Sequence, residues 1–393
     1  MNLSQKIKTI TPSYTIGIST KVKALKSEGK SIIDLSIGEP DFFTPEKAKL
    51  EGIDAIARNE SKYDMVPGLM ALRKAIVQKL KTENNVSYDV ADIVVSSGAK
   101  HAITNTLLAT LDPGDEVIVP KPYWTSYPEM IKLCGGVPVL VDTQIENQFK
   151  LTIDELKSAI TPKTKMLLIN NPSNPTGAVY TMAELEPLVN LCIEKELFIL
   201  ADEIYERICY TDTFTSIPTL SPEAKAITIL VNGLSKSVAM TGWRIGYTAS
   251  SPEIAKAIST IQGHLVSHPS IVSQWAGAVA LTDCLDDMSA MVSEYKLRRD
   301  LLVERLQKIK NVTFIQPDGA FYLFIDLSYF KDKFEAERSV SLKIGDDLLL
   351  QYNLAVVPGI AFGNDHCIRL SYATELSLVQ EGLNRIETYL NQL

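Results

Sequence analysis

Apolar runs and amphipathic segments alternate along the middle of the chain, between about residue 91 and residue 249. Runs such as Ile93–Ser96, Met166–Asn170 and Phe198–Ala201 are almost continuously apolar, which is typical of strands covered on both faces. The segments between them, such as His101–Leu111, repeat apolar residues at helical spacing. This alternation predicts an α/β fold with a mostly parallel sheet and right-handed crossovers.

The two ends of the chain have a different pattern. A polar arm precedes a predicted helix, Ile18–Ser27, and after residue 310 short strands such as Phe321–Asp326 mix with helices. Because 393 residues are many for one core, we expect two domains, the smaller one α+β and formed by both chain ends. The predicted division is residues 1–45 for the arm and the first part of the small domain, 46–289 for the large domain, and 290–393 for the rest of the small domain.

Composition and charge exclude several classes of function. The net charge of −8 argues against binding to nucleic acid or to an anionic membrane. No apolar stretch is long enough to span a membrane, and no signal peptide precedes residue 12. The five cysteines are scattered singly and His264 and His268 lack the glutamate of a zinc-protease motif, so we expect a cytoplasmic protein without a metal site.

The stretch after one predicted buried strand, Ile227–Val231, combines an amine with phosphate donors. Lys236 follows this strand, and burial there would lower its pKa and make it a nucleophile able to form a Schiff base. Ser235, Thr241 and Arg244 supply donors suited to a phosphate group. An amine beside a phosphate cradle suggests pyridoxal phosphate, and the alternative is a solvated loop with ordinary charges.

Other strand ends carry further polar residues, and ligands of open α/β sheets bind at this edge. The turn Ser97–Lys100 would place backbone N–H groups at a helix N-terminus, where a phosphate can bind. Asn170–Gly177 offers amide groups held by prolines, which favours a site over a plain turn. Asp202 follows a buried strand and could pair with a protonated pyridine nitrogen, with Tyr205 in reach of the same ligand, or it could simply cap the next turn.

One arginine, Arg369, lies inside the apolar strand Ile368–Tyr372. A guanidinium stays charged when it is buried, so it needs an anionic partner. That partner is either a substrate carboxylate, gripped by two hydrogen bonds, or an acidic residue of the chain itself.

Together these motifs resemble class I aminotransferases of PLP fold type I, and most closely the bacterial aspartate aminotransferases of the shorter-chain subgroup. The resemblance covers essentially the whole chain. It is carried by Gly38–Asp41, Lys62–Tyr63, Pro122–Trp124, Asn174–Gly177, Asp202–Tyr205, Ser235–Lys236, Met240–Arg244, Gly319–Tyr322 and Arg369–Tyr372.

The resemblance implies roles for the residues around the cofactor. Lys236 would carry pyridoxal 5′-phosphate through a Schiff base and would shuttle the proton from the substrate Cα. Asp202 would keep the pyridine nitrogen protonated. Tyr205 and Asn174 would bond the phenolate oxygen of the ring, and Trp124 would stack on the ring.

The resemblance also implies how phosphate and substrate are held. The phosphate ligands would be Gly98, Ala99, Lys100, Ser235, Arg244 and, from the partner in a homodimer, Tyr63. The substrate contacts would be Gly38, Trp124, Asn174, Arg369 and Lys100. Among these, Arg369 would take the α-carboxylate and Lys100 the distal carboxylate of an acidic substrate.

The implied activity is transfer of an amino group between an L-amino acid, aspartate or glutamate, and a 2-oxo acid by a ping-pong mechanism. Alternatives are an aminotransferase of broader or aromatic/aliphatic specificity and a PLP-dependent lyase or synthase of the same fold. Two departures bear on specificity: His264–His268 replaces a Ser/Thr-rich segment, and Tyr14 stands where a small residue is common and could narrow the substrate pocket.

Overall fold

The computed structural model of the chain describes residues 3–211, 213–334 and 339–393. The strands are β1 Ile33–Asp34, β2 Ile93–Ser96, β3 Glu116–Lys121, β4 Val137–Asp142, β5 Thr164–Asn170, β6 Phe198–Asp202, β7 Thr228–Gly233, β8 Gly246–Ala249, β9 Thr313–Phe314, β10 Tyr322–Asp326, β11 Leu354–Ala355, β12 Val357–Pro358 and β13 Cys367–Ser371. The helices are α1 Gln5–Thr9, α2 Tyr14–Ser27, α3 Glu46–Ala57, α4 Met70–Glu83, α5 Ala99–Thr110, α6 Tyr127–Leu133, α7 Ile153–Ala159, α8 Met182–Glu194, α9 Pro222–Ile227, α10 Leu234–Ser237, α11 Pro252–Leu265, α12 Ile271–Asp283, α13 Leu285–Leu306, α14 Val340–Tyr352 and α15 Leu376–Leu390.

The largest sheet has the strand order β2-β8-β7-β6-β5-β3-β4 in the described part of the chain. Five neighbouring strands, β7, β6, β5, β3 and β4, pair in parallel. Strand β8 runs antiparallel to both of its neighbours, β2 and β7. Alternate residues of β6 enter different cores, with Ile199 in the cluster on one face and Leu200 in the cluster on the other. The predicted mixed, mostly parallel sheet is therefore confirmed, and burial of both faces explains the continuous apolar runs.

The two chain ends meet through β1 and β11, which pair in parallel with Ile33 opposite Leu354. A second sheet, β12-β13-β10-β9, is antiparallel and sets Phe324 opposite Arg369. Helix α2 adds Val22 to a small core that this region shares with Leu349. The predicted boundary at residues 289 and 290 falls within α13, and the proposed domain limits stay a prediction.

Several elements differ from those predicted. The sequence pattern also predicts a strand over Trp243–Ala249, but this strand begins at Gly246, because Thr241–Trp243 form a short 3-10 turn and Arg244 has a left-handed backbone with φ of 57°. Helices α1, α9 and α10 were not predicted, since segments this short show no helical periodicity. Helix α10 matters most, because Lys236 lies on it rather than on a loop.

Candidate active site

One cavity of about 380 Å³ lies beyond the carboxyl ends of β5, β6 and β7. Most of the residues that the sequence singled out line it, namely Gly38, Ala99, Lys100, Trp124, Asn174, Asp202, Tyr205, Ser235, Lys236, Arg244 and Arg369. Gly98 adjoins the cavity through its contact with Arg244. Of the predicted set, Tyr63 is the residue that the fold leaves outside it.

Lys236 reaches the cavity because α10 begins directly after β7 ends at Gly233. Its amine donates a hydrogen bond to the backbone oxygen of Gly38. Burial lowers the pKa of this amine to about 8, and the positive charges of Arg369 and Arg244 act in the same direction. A large fraction of the amine is therefore neutral near pH 8, the state in which a lysine attacks a carbonyl.

Asp202 ends β6 with its side chain buried, and it accepts two hydrogen bonds. Tyr127 donates to Oδ2 over 2.6 Å, and the backbone N–H of Ile204 donates to Oδ1 over 3.2 Å. Burial raises the pKa of Asp202 to about 6, although both hydrogen bonds oppose the rise. The carboxyl group is thus mostly ionised at pH 7. Capping of the next turn, the alternative role for Asp202, involves only Oδ1, because Oδ2 accepts from Tyr127.

Sequence analysis gave no role to Tyr127. The residue begins α6, directly after the segment that contains Trp124, and its ring meets that indole edge-on at 5.2 Å. The side chain is fully buried, and a buried phenol needs a partner for its hydroxyl. No pattern in the sequence indicates this burial, so the contact with Asp202 is recognisable only in the folded chain.

A cluster of N–H donors forms where α5 begins. Gly98 has φ of 85°, and a Cβ at this position would lie 2.3 Å from an Arg244 nitrogen. Arg244 donates to the backbone oxygens of Thr241, over 2.9 Å, and Ser97, over 3.3 Å. The glycine thus lets a guanidinium lie against the N-terminus of α5, where positive charge and free N–H groups together suit a phosphate.

Arg369 on β13 is 3% exposed and carries its charge without an acidic partner among the described residues. It donates to Asn174 Oδ1 over 3.0 Å and to the Ser36 carbonyl over 2.9 Å. The rings of Tyr322 and Phe362 flank the guanidinium, and its Nε atom has no hydrogen-bond partner. The alternative of an internal acidic partner is therefore wrong for the residues described, and the arginine lies ready for an anion from outside.

Lys100 and Trp124 form another part of the wall. The Lys100 amine lies 4.9 Å from the centroid of the Trp124 ring. Burial, and then the charge of Arg244, lower the pKa of Lys100. A lysine held over an aromatic ring beside the cavity is well placed for a ligand carboxylate.

Tyr205 faces the cavity from the turn after β6, and its hydroxyl lies 2.7 Å from that of Tyr322. Near the N-terminus of α2, Ser13 and Thr15 line the cavity, whereas Tyr14 packs on the cluster that contains Phe362. The expectation that Tyr14 narrows the substrate pocket is therefore wrong, because this side chain is directed into the neighbouring core.

Tyr63 is 91% exposed and lies away from the cavity of its own chain. Its ring meets the His268 ring edge-on at 6.0 Å. His268 accepts a hydrogen bond from the backbone N–H of Asp64 over 3.0 Å. The unusual His264–His268 segment thus braces the loop that carries Tyr63.

Comparison with known proteins agrees with this arrangement. The model of the family "Aminotransferase class I and II" matches residues 30–386. The chain belongs to this family of aminotransferases, and its fold is that of fold type I.

The relatives and solved structures are similar over their full lengths. The aspartate aminotransferase of Bacillus sp. (strain YM-2) is 41% identical, with 99% of each chain covered, and the aspartate/prephenate aminotransferase of Nitrosomonas europaea is 40% identical, with 100% of each covered. The crystal structure of the aspartate aminotransferase from Rhizobium meliloti has a TM-score of 0.94 at 39% identity, over 99% of this chain and 98% of that one. The Thermus thermophilus aspartate aminotransferase with maleate has a TM-score of 0.93 at 37% identity, over 99% of each.

Within residues 3–211, 213–334 and 339–393, no helix is both long and apolar enough to cross a membrane. Within the same ranges, no three His, Cys, Asp or Glu side chains cluster closely enough to hold a metal ion.

Proposed function

We propose that the chain is a pyridoxal-phosphate-dependent aminotransferase that moves an amino group between L-aspartate or L-glutamate and a 2-oxo acid. One observation carries the proposal: a single cavity contains the Lys236 amine with its lowered pKa, the ionised Asp202, and Arg369, which has no acidic partner among the described residues. The names of the similar proteins supply the substrate class, since several of them are aspartate aminotransferases.

The residues present fit the cofactor. Gly98, where a Cβ would strike Arg244, opens a cradle for its phosphate, with Ser235 beside it. Asp202 offers a buried carboxylate for the pyridine nitrogen, and Lys236 offers the amine for the covalent link. When bound, the cofactor supplies a ring able to accept the electron pair released at the substrate Cα.

The side chains of this protein would then bind the substrate and move the proton. Arg369 and Asn174 hold the α-carboxylate, which supplies the anion that the buried guanidinium lacks. Lys236 Nζ would take the proton from Cα and pass it to C4′ of the cofactor, and in the half-reaction with the 2-oxo acid it would carry a proton from C4′ to Cα. Trp124 covers the ring, and Tyr205 donates a hydrogen bond to the phenolate oxygen.

Reaction with aspartate alone tests the activity. A ping-pong aminotransferase loaded with cofactor should release one equivalent of oxaloacetate per site, and bound pyridoxal phosphate should become pyridoxamine phosphate. Absorbance spectra and analysis of the released acid measure both. Release of ammonia, or loss of the substrate carboxylate as carbon dioxide, would instead assign the chain to a lyase of the same fold.

Specificity for acidic substrates depends on Lys100, the cation that lies over Trp124 without an acidic partner among the described residues. Because a hydrogen bond to a charged group contributes about 1.5–3 kcal/mol, Lys100→Ala should lower kcat/KM for aspartate by roughly tenfold to a hundredfold. Alanine and phenylalanine have no distal carboxylate, so their values should change much less. An equal fall for all three substrates would show that Lys100 serves the cofactor instead.

A homodimer with shared active sites is part of this proposal. Tyr63 would contact the cofactor phosphate in the cavity of the other subunit, and its 91% exposure in the single chain supports this. Helix α3 presents a row of exposed apolar side chains, Leu50, Ile53 and Ile56, of the kind that an interface covers. The cytoplasmic location stays a prediction.

A further inference from the structure

Tyr322, on β10, contacts two groups to which the proposed function gives separate tasks. Its side chain is 1% exposed, and its hydroxyl lies 2.7 Å from the hydroxyl of Tyr205. The Arg369 guanidinium lies 4.4 Å from the centroid of its ring. A Cβ at Gly38 would come within 2.8 Å of the Tyr322 oxygen, so this glycine leaves room for the hydroxyl.

The number of available protons fixes the direction of the hydrogen bond between the two tyrosines. A phenol has one proton to donate and lone pairs to accept with. Among the described residues, Tyr322 is the one hydrogen-bond partner of the Tyr205 hydroxyl. If Tyr205 is to direct its proton into the cavity, Tyr322 must be the donor within the pair.

The charges around the two tyrosines favour Tyr322 as the donor of this hydrogen bond. Burial raises the pKa of Tyr322 and raises that of Tyr205 well above its usual range, and the positive charge of Arg369 opposes the rise in both. The guanidinium lies against the face of the Tyr322 ring, so its field acts on that phenol most directly. The more acidic phenol of such a pair is the better donor.

We propose that Tyr322 is a positioning residue whose hydroxyl donates a hydrogen bond to that of Tyr205, so that the Tyr205 proton faces the cofactor, and that it makes this bond depend on whether an anion is bound at Arg369. The inference rests on the proposed function. An anion at Arg369 offsets the charge that favours Tyr322 as the donor, so binding of a carboxylate weakens the hydrogen bond from Tyr205 to the phenolate oxygen. One side chain then connects the substrate-binding arginine to the electronic state of the cofactor.

The test is a spectrophotometric pH titration of bound pyridoxal phosphate, with and without maleate as an unreactive dicarboxylate. Tyr322→Phe removes the donor, so the phenolate loses support and the midpoint of the titration should rise by about half a unit, which is roughly a threefold change in proton affinity. The additional shift caused by maleate should be smaller than in the unaltered protein. A midpoint and a maleate shift equal to those of the unaltered protein would overturn the proposal.

Tyr372→Phe is the matched control. Tyr372 is equally buried, and its hydroxyl bonds to Tyr210 and to the Ala320 carbonyl, away from the cavity. This variant should lose stability as Tyr322→Phe does and yet keep the titration of the unaltered protein. If both variants shift the titration alike, the effect is a general consequence of a lost buried hydroxyl, and the positioning role is wrong.

Tyr205→Phe supplies a second, independent measurement. Tyr205→Phe lacks the hydroxyl that accepts from Tyr322. Adding Tyr322→Phe to this variant should therefore change the midpoint of the cofactor titration by much less than Tyr322→Phe does alone. Equal effects in both backgrounds would contradict the proposed donation. If the unaltered protein shows no cofactor absorbance with pyridoxal phosphate, the proposed function fails as well. If the absorbance is present and only the Tyr322 effects are missing, the inference fails by itself.

Discussion

Lys236→Ala is expected to reduce transamination by at least roughly 10⁴-fold while cofactor still binds. The variant removes both the covalent attachment and the proton carrier, because Lys236 is the amine on α10 whose pKa burial lowers to about 8. The cradle formed by Gly98 and Arg244 remains, so the phosphate group should still bind. Steady-state kinetics with aspartate and 2-oxoglutarate, together with equilibrium dialysis of the cofactor, measure the two effects.

Borohydride reduction and peptide mapping complete this experiment. In the unaltered protein the reduced pyridoxyl group should be found on Lys236. The control is Lys100→Ala, which removes a second lysine of the same cavity and should leave that labelling unchanged. Label on any other lysine, or a Lys236→Ala protein that retains turnover, would contradict the assignment.

Asp202→Asn is expected to lower kcat by roughly 10²–10³-fold, the usual range for loss of one preorganised electrostatic group. The amide keeps an oxygen that can accept from Tyr127 but loses the negative charge that would hold the pyridine nitrogen protonated. The raised pKa of Asp202, about 6, also predicts how cofactor binding depends on pH. In the cofactor-free protein Asp202 gains a proton as the pH falls through about 6, so binding of the cofactor should weaken below that pH.

Glu203→Gln is the matched control for this variant. Glu203 is the next residue and is fully buried, but its oxygens accept from the Ser216 hydroxyl and the Ile217 N–H, on the side away from the cavity. Burial raises its pKa to about 7, so it is partly neutral already and its amide should leave kcat nearly unchanged. Equal losses in both variants would show that Asp202 acts through the fold alone.

Apolar patterning is sufficient to predict where the cavity lies. Continuous runs such as those of β5 and β6 indicate parallel strands buried on both faces, and the carboxyl ends of such strands form one edge. Asp202 could therefore be named as a candidate from its position after a buried run, although capping of the next turn remained an equal alternative until the whole set of motifs was considered. Arg369 could be named as a second candidate because a charge within a buried strand demands an anion, but the sequence could not decide between a substrate carboxylate and an acidic residue of the chain.

Contacts between distant segments could not be predicted in this way. The pairing of Tyr205 with Tyr322 depends on how β10 of the small sheet approaches the turn after β6, and no local pattern specifies that approach. The bond between Tyr127 and Asp202 likewise depends on how α6 packs against the sheet. Short helices such as α10 also escape prediction, because four residues complete scarcely one helical turn.

The contact between Gly98 and Arg244 has a consequence for the evolution of this protein. A Cβ at position 98 would lie 2.3 Å from an Arg244 nitrogen, and φ of 85° is strained for any residue with a side chain, so a larger residue there requires Arg244 to shift and the two positions form an epistatic pair. A lineage that enlarges residue 98 must accept a strained backbone and a displaced guanidinium at 244. Because that displacement moves positive charge away from the cradle, the route passes through ancestors with impaired binding, and purifying selection should hold both residues together while neighbouring positions diverge.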